Sequence, residues 1–391
     1  MRGNPLKPFK IEIPQQQLDD LNRRLDMTRW PRDLPDVGWE RGVPASYLRD
    51  VVDYWRNSYD WRSAEAELNE FPQYVTEIDG ANIHFIHVRS PEPDALPLLI
   101  THGWPGSVAE FIDVIGPLTN PRAHGGESRD AFDLVIPAMP GFGFSGPTSE
   151  PGWTIERIAS AWAVLMQRLG YRHYVPQGGD FGSGVSLFVA LKDPDNVAGL
   201  HLNTLVTKPS GNPDDLVGLS SSDQARLDRT ARFVEVLSGS MKLQATRPHT
   251  VAYPLVDSPV GQLAWIIEKF KDWTDSETRP EDAASLDRIL TNVMIYWLTG
   301  TGGSSAQLYY EIVDQLPIAS DIGTYPPITA PLGVAVYPGA PFMSIRRFVE
   351  RDFPNVVHWA EYDRGGNFAA LEEPDLYVED LRTFRRTLDA R

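Results

Sequence analysis

Apolar positions in this chain keep one period and then another. In QQQLDDLNRRLDMTRW, residues 15–30, Leu18, Leu21 and Leu25 recur at three- and four-residue steps with charges between them. In SYLRDVVDYWRNSYDW, residues 46–61, Leu48, Val51, Val52 and Trp55 do the same. The spacing predicts helices, with the aromatics forming a packing stripe. From Glu67 to Ser90 the period becomes two on either side of Asp79-Gly80, a dipeptide suited to a tight turn, so a β-hairpin is expected there.

After Pro97 short continuous apolar runs alternate with turns and helical segments. LPLLITHGWPGS, AFDLVIPAMPGFGFS and HYVPQGGDFGSGVSLFVALK follow one plan, and PLGVAVYP and VVHWAEYD return to it before an amphipathic close in YVEDLRTFRRTL. Such a pattern predicts an α/β fold around a mostly parallel sheet covered on both faces, with ligands at the carboxyl ends of the strands. Between Val206 and Ala319 the strand signals fade and helices around LAWIIEKF and LDRILTNVMIYWLTG take over, as in an inserted cap. The expected division is an N-terminal meander with the first hairpin at 1–93, core at 94–205, helical cap at 206–319 and core again at 320–391.

Composition removes several function classes. With 42% hydrophobic and 23% charged residues the chain is globular, and without cysteine it has no disulfide, thiol nucleophile or thiolate metal site. A net charge of −17 repels phosphate surfaces, so neither nucleic acid nor an anionic membrane is an expected partner. MRGNPLKPFKIEIP carries no apolar signal stretch and no window reaches the roughly 20 apolar residues of a membrane span, so a soluble, cytoplasmic protein is expected. The scattered histidines, His84 and His87 on the hairpin apart, lack metal-site spacing to carboxylates, and PRAHGGESRD lacks the spacing of a phosphate loop, so no metal or cofactor is expected.

Two stretches carry chemistry. In QGGDFGSG, Gly178 and Gly182 flank Asp180 with one residue on each side, the spacing of a nucleophile elbow with Asp in place of Ser; the alternative is a turn in which Asp180 caps the following helix. THGWPGS places the amide of Trp104 where, with that of Phe181, it could form an oxyanion hole. His102 in the same turn is either a substrate contact or a support for the loop.

These elements, with PGFGFSGP, the N-terminal FKIEIPQQQLDDLNRRLDMTRWP, SPVGQLAWIIEKFKDW and DRGGNFAALEEP, resemble the microsomal-type branch of the epoxide hydrolases, in the α/β-hydrolase superfamily, over nearly the whole chain. The resemblance implies that an elbow aspartate attacks the epoxide, two cap tyrosines assist the leaving oxygen, and a histidine oriented by an acid hydrolyses the ester. Asp180 matches the nucleophile. Tyr309 matches one tyrosine, with Tyr310 beside it as a second candidate.

Three positions depart from that pattern. Asn367 stands where the histidine is expected, Gly339 and Ala340 where the acid is expected, and Ser240 where the second tyrosine is expected. His173, His201, His249 and His358 are read as satisfied or surface residues, and Glu372 and Glu373 as solvent-facing. The resemblance therefore implies an enzyme of this family turned to non-hydrolytic chemistry on a hydrophobic small molecule, such as cyclisation by an internal nucleophile in bacterial natural-product biosynthesis of the enediyne or aromatic polyketide kind. A diol-forming epoxide hydrolase and a silent ligand-binding protein are the alternatives. Relatives often dimerise, so a homodimer is a further expectation.

Overall fold

The computed structural model describes residues 5–32, 37–316 and 327–391. A short strand, β1 (Lys7–Phe9), precedes three helices, α1 (Gln15–Asp26), α2 (Ala45–Asn57) and α3 (Trp61–Leu68). The leucines of α1 and the Leu48, Val51, Val52 and Trp55 stripe of α2 are all buried, as their spacing requires. The hairpin follows as β2 (Gln73–Ile78) and β3 (Ala81–Val88). Its two-residue turn places Asp79 at φ +50° and Gly80 at φ +81°, the mirror-image turn that suits the twist of paired strands.

The core strands are β4 (Leu96–Thr101), β5 (Phe132–Pro137), β6 (Val175–Gly178), β7 (Leu200–Leu202), β8 (Leu332–Val336) and β9 (Val356–Glu361). They join one sheet in the order β1-β2-β3-β5-β4-β6-β7-β8-β9. Pairing is antiparallel from β1 through β5 and parallel from β5 and β4 to β9. Alternation along each strand divides the core. Leu98 and Ile100 pack on the face covered by helix α4 (Ile112–Thr119), whereas Leu99 faces α5 (Ile155–Leu169) and α6 (Phe181–Lys192).

Between β7 and β8 lies the helical insertion. It comprises α7 (Ser221–Arg232), α8 (Gly239–Thr246), α9 (Pro248–Asp257), α10 (Pro259–Asp272), α11 (Leu286–Thr299) and α12 (Gly302–Glu311), with no strand among the described residues of this stretch. The expected cap boundary at 319/320 lies outside the described residues. The fold closes with α13 (Arg346–Asp352), the short α14 (Ala369–Glu372) and α15 (Pro374–Asp389), which packs beside α4.

The N-terminal meander fastens the cap. Trp55 Nε1 meets Met294 Sδ at 3.3 Å, Tyr47 and Tyr54 donate to Glu281 and Asp287 at 2.7 and 2.8 Å, and Arg288 forks onto Glu67 at 2.6 and 2.7 Å. The cap is thus held from above by residues distant in sequence, while the strand ends lie beneath it.

Candidate active site

Strand β6 ends, the chain turns through Gly179 and Asp180, and α6 begins. Asp180 sits at φ +52°, a region that costs a non-glycine residue on the order of 1–3 kcal/mol and is kept where the surroundings enforce it. Gly182 is one reason the turn can be this tight, since a β-carbon there would lie 1.9 Å from the Thr101 carbonyl oxygen. The turn lifts the carboxylate to the carboxyl end of the parallel strands.

Asp180 Oδ1 accepts from the amides of Phe181 at 2.7 Å and Trp104 at 2.9 Å. The two amides named from sequence as an oxyanion hole therefore grip one carboxylate oxygen and leave the other without a backbone donor. Burial raises the Asp180 pKa to about 6, against the opposing pull of the Trp104 and Phe181 amides and of the Asn367 side chain. The carboxylate borders an apolar pocket of ≈ 90 Å³ lined by Phe181, Leu187, Met241, Tyr309 and Phe342 among others. Across it Tyr309 is 1% exposed, its ring edge-on to Phe181 and Trp104 at 4.7 and 5.5 Å. Burial, and next the charge of Asp180, drive its pKa well above the usual phenol value, so it holds its proton and acts as a donor.

Asn367 joins the site as expected from its position. Its backbone amide donates to the Trp273 carbonyl at 2.8 Å, its side chain lies close enough to Asp180 to pull that carboxyl's pKa down, and its Oδ1 is buried without a partner. At the position expected for an acid, no side chain fits at Gly339, where a β-carbon would meet the backbone of Thr274 and Asp275 at 2.5 Å. Asp275 instead accepts from the Gly365 amide at 2.6 Å and so fixes the turn that presents Asn367.

Other expectations are corrected. His102 is not a substrate contact: it is 1% exposed, with Nδ1 2.9 Å from the Gly103 carbonyl and Nε2 accepting from the Met139 amide at 3.2 Å. Burial lowers its pKa to about 4, so it is a neutral brace for the loop. Tyr310 is 55% exposed and faces away from the pocket, because its neighbour Tyr309 takes the inward face of α12. Ser240 is half-buried beside pocket-lining Met241 but does not itself line the pocket. Glu372 does not face solvent: it is enclosed, Oε1 accepts from the Phe368 amide at 2.8 Å, Oε2 has no partner, and burial pushes its pKa well up. Glu373 pairs with Arg364 at 2.9 Å.

One carboxylate near the site escaped the sequence reading. Glu110 is partly buried, and burial, and next the charge of Asp180, raise its pKa to about 8. The available signal was a carboxylate set in the largely apolar VAEFIDVI, directly after the THGWPGS turn. The fold also gathers His201, His358 and Asp380, whose candidate ligand atoms lie within 4.8 Å of one another, a grouping that linear spacing hides. There both histidines contact Asp380 at 2.7 Å and Tyr362 donates to it at 2.8 Å, so the carboxylate is already saturated by protein partners. No helix among the described residues is long and apolar enough to cross a membrane.

Known proteins match this arrangement along its whole length. Residues 6–111 match the family described as epoxide hydrolase N terminus, and residues 97–316 the alpha/beta hydrolase fold. A Stigmatella aurantiaca (strain DW4/3-1) protein named "Putative epoxide hydrolase" is 48% identical over 99% of this chain and 86% of its own, and epoxide hydrolase 1 of Sus scrofa is 36% identical over 98% and 89%. The crystal structure of juvenile hormone epoxide hydrolase from the silkworm Bombyx mori superposes with a TM-score of 0.88 at 29% identity, covering 99% of this chain and 96% of that one. On this likeness and on the α/β-hydrolase architecture that carries Asp180, the chain belongs to the epoxide hydrolase family.

Proposed function

We propose that this enzyme opens an epoxide by a non-hydrolytic route, with Asp180 as base and Tyr309 as acid. The observation that carries this reading is the pairing at Asp180: a carboxylate gripped at one oxygen faces a protonated phenol, and the group beside it is the Asn367 amide, which cannot take up a proton. A base with a pKa of about 6 is well matched to neutral pH. Asp180 would take a proton from a carbon or oxygen nucleophile within the substrate. That nucleophile then forms a bond to an epoxide carbon, the carbon–oxygen bond breaks, and the oxygen receives the Tyr309 proton. Transfer of the proton from Asp180 back to Tyr309 closes the cycle, so the step is an isomerisation needing no co-reactant. Ring formation in natural-product assembly is the setting that suits such chemistry.

A second reading is diol formation. It is supported by the relatives named as epoxide hydrolases and by Glu110, which above its pKa of about 8 is a carboxylate near Asp180 able to activate water. Incubation with styrene oxide in oxygen-18 water separates the two readings. Diol carrying solvent label establishes hydrolysis and overturns the proposal. A stable adduct on Asp180 without diol makes Asp180 a nucleophile whose ester is not released, and overturns its role as base. The proposal expects neither diol nor adduct from styrene oxide, and a cyclic isomer without solvent label from a substrate bearing its own internal nucleophile.

A further inference from the structure

Gln244 is fully buried on α8, one helical turn beyond Ser240 and three residues beyond pocket-lining Met241. Its orientation is determined by a neighbour. The Trp265 indole N–H can only donate, and it does so to Gln244 Oε1 at 3.0 Å, so the amide nitrogen points the other way. That Nε2 has no hydrogen-bond partner, although a buried unpaired donor is costly and is seldom left so without a reason. Helix α8 packs against α12, which carries Tyr309, and the Gln244 amide bears on the phenol closely enough to counter part of the effect of burial on it. Gln244 has no accessible surface, so it acts on a substrate only through another residue.

We propose that Gln244 is a positioning residue for Tyr309: its Nε2 donates to the phenolic oxygen, which turns the hydroxyl proton into the pocket and stabilises the phenolate left when that proton passes to the substrate oxygen. The donor that a second phenol at position 240 would supply from the pocket side is here supplied from behind. The inference rests on the assignment of Tyr309 as the acid.

Gln244→Glu tests it. The variant keeps the side-chain length and the acceptor for Trp265, but presents an oxygen to Tyr309 where the amide N–H was. A merely space-filling or Trp265-anchoring role predicts wild-type behaviour. The positioning role predicts that kcat for cyclisation of 4,5-epoxy-5-phenylpentan-1-ol, an epoxide that carries its own hydroxyl nucleophile, falls about 100-fold with KM little changed, the scale of losing one transition-state donor. In a Tyr309→Phe background the same change should have no further effect, and that non-additivity marks action through the phenol. Phenylacetamide, whose carbonyl accepts from Tyr309, gives a second readout by calorimetry: tenfold weaker binding to Gln244→Glu, and no difference between the two side chains in the Tyr309→Phe background. Wild-type rates and affinities in Gln244→Glu overturn the proposal and leave the site assignment standing. A wild-type protein that neither reacts with the epoxide nor binds the amide overturns both.

Discussion

Asp180 and Asp380 are both enclosed aspartates near the carboxyl-terminal half of the sheet, and the protein treats them in opposite ways. Asp380 is 2% exposed; burial alone would raise its pKa, but His201, His358 and Tyr362 supply three partners and the net result is a pKa well below the ordinary carboxylate range. Asp180 has two amides on one oxygen and the single side chain of Asn367, and burial wins, raising its pKa to about 6. The number and charge of the partners decide which effect dominates. A saturated carboxylate joins β7, β9 and α15 together, whereas an under-saturated one on a strained turn stays available to a ligand.

The largest expected effect comes from swapping each for its amide. Asp180→Asn should lower epoxide opening by a factor of about 10³ or more, since a base or nucleophile is removed outright, while the fold is kept or stabilised. Asp380→Asn should do the reverse, costing about 3–5 kcal/mol because two histidines lose a buried charged partner. Denaturant melts and adduct mass spectra on the two variants check this. An Asp380→Asn variant as stable as wild type would end the contrast.

Acid titration sharpens it. The folded pKa of Asp380 is depressed, so its contribution to stability is present above the unfolded carboxylate pKa and is lost as pH falls towards the folded value. Asp180 has a raised folded pKa; the folded state binds its proton more tightly than the unfolded state does, so its contribution is fully present below the ordinary aspartate value of 3.8 and is lost as pH rises through about 6. Asp180→Asn should therefore gain stability relative to wild type as pH rises from about 4 to about 6, and Asp380→Asn should lose its deficit as pH falls. Urea midpoints measured across that range for the three proteins give both slopes.

A smaller effect is expected from Asn367→His. The substitution places a ring nitrogen beside Asp180, but position 339 cannot carry a side chain to orient it, so the gain in diol release should be about tenfold, below the roughly 10²–10⁴ of an oriented general base. A hydrolysis rate unchanged by this variant would show that Asn367 is not what limits ester release.

The contrast between the two aspartates was half legible in the sequence. Asp180 could be found because its function needs local backbone geometry, and that geometry leaves small residues at fixed spacing in QGGDFGSG. The β-hairpin, the core strands and the stripe of α2 were legible for the same reason, since each is a periodic demand on nearby positions. Asp380 could not be found, because its partners lie 22 and 179 residues away and meet only when β7, β9 and α15 assemble. Glu372 misled through its neighbours: set in LEEP among charged residues it reads as surface, yet α14 turns it inward. Gln244 and Glu110 gave no sequence signal for a third reason. A polar residue in a short helix without a polar face, or one carboxylate among apolar neighbours, becomes informative only when its surroundings can be seen.

Glu110 offers the smallest and most discriminating test. Its pKa of about 8 is raised by burial and then by Asp180, and its charge in turn bears on Tyr296, Glu372 and Tyr377. In the non-hydrolytic reading Glu110 is neutral at pH 7 and idle. Glu110→Gln should then change ring opening by less than about threefold and leave its pH profile flat between 7 and 9. In the hydrolytic reading the carboxylate is the base, so diol release should rise as pH climbs through about 8, and the variant should remove that rise while leaving the adduct on Asp180 intact. A pH-dependent diol signal lost in Glu110→Gln would place this second carboxylate in the reaction, and would change the role of Asp180 from base to nucleophile.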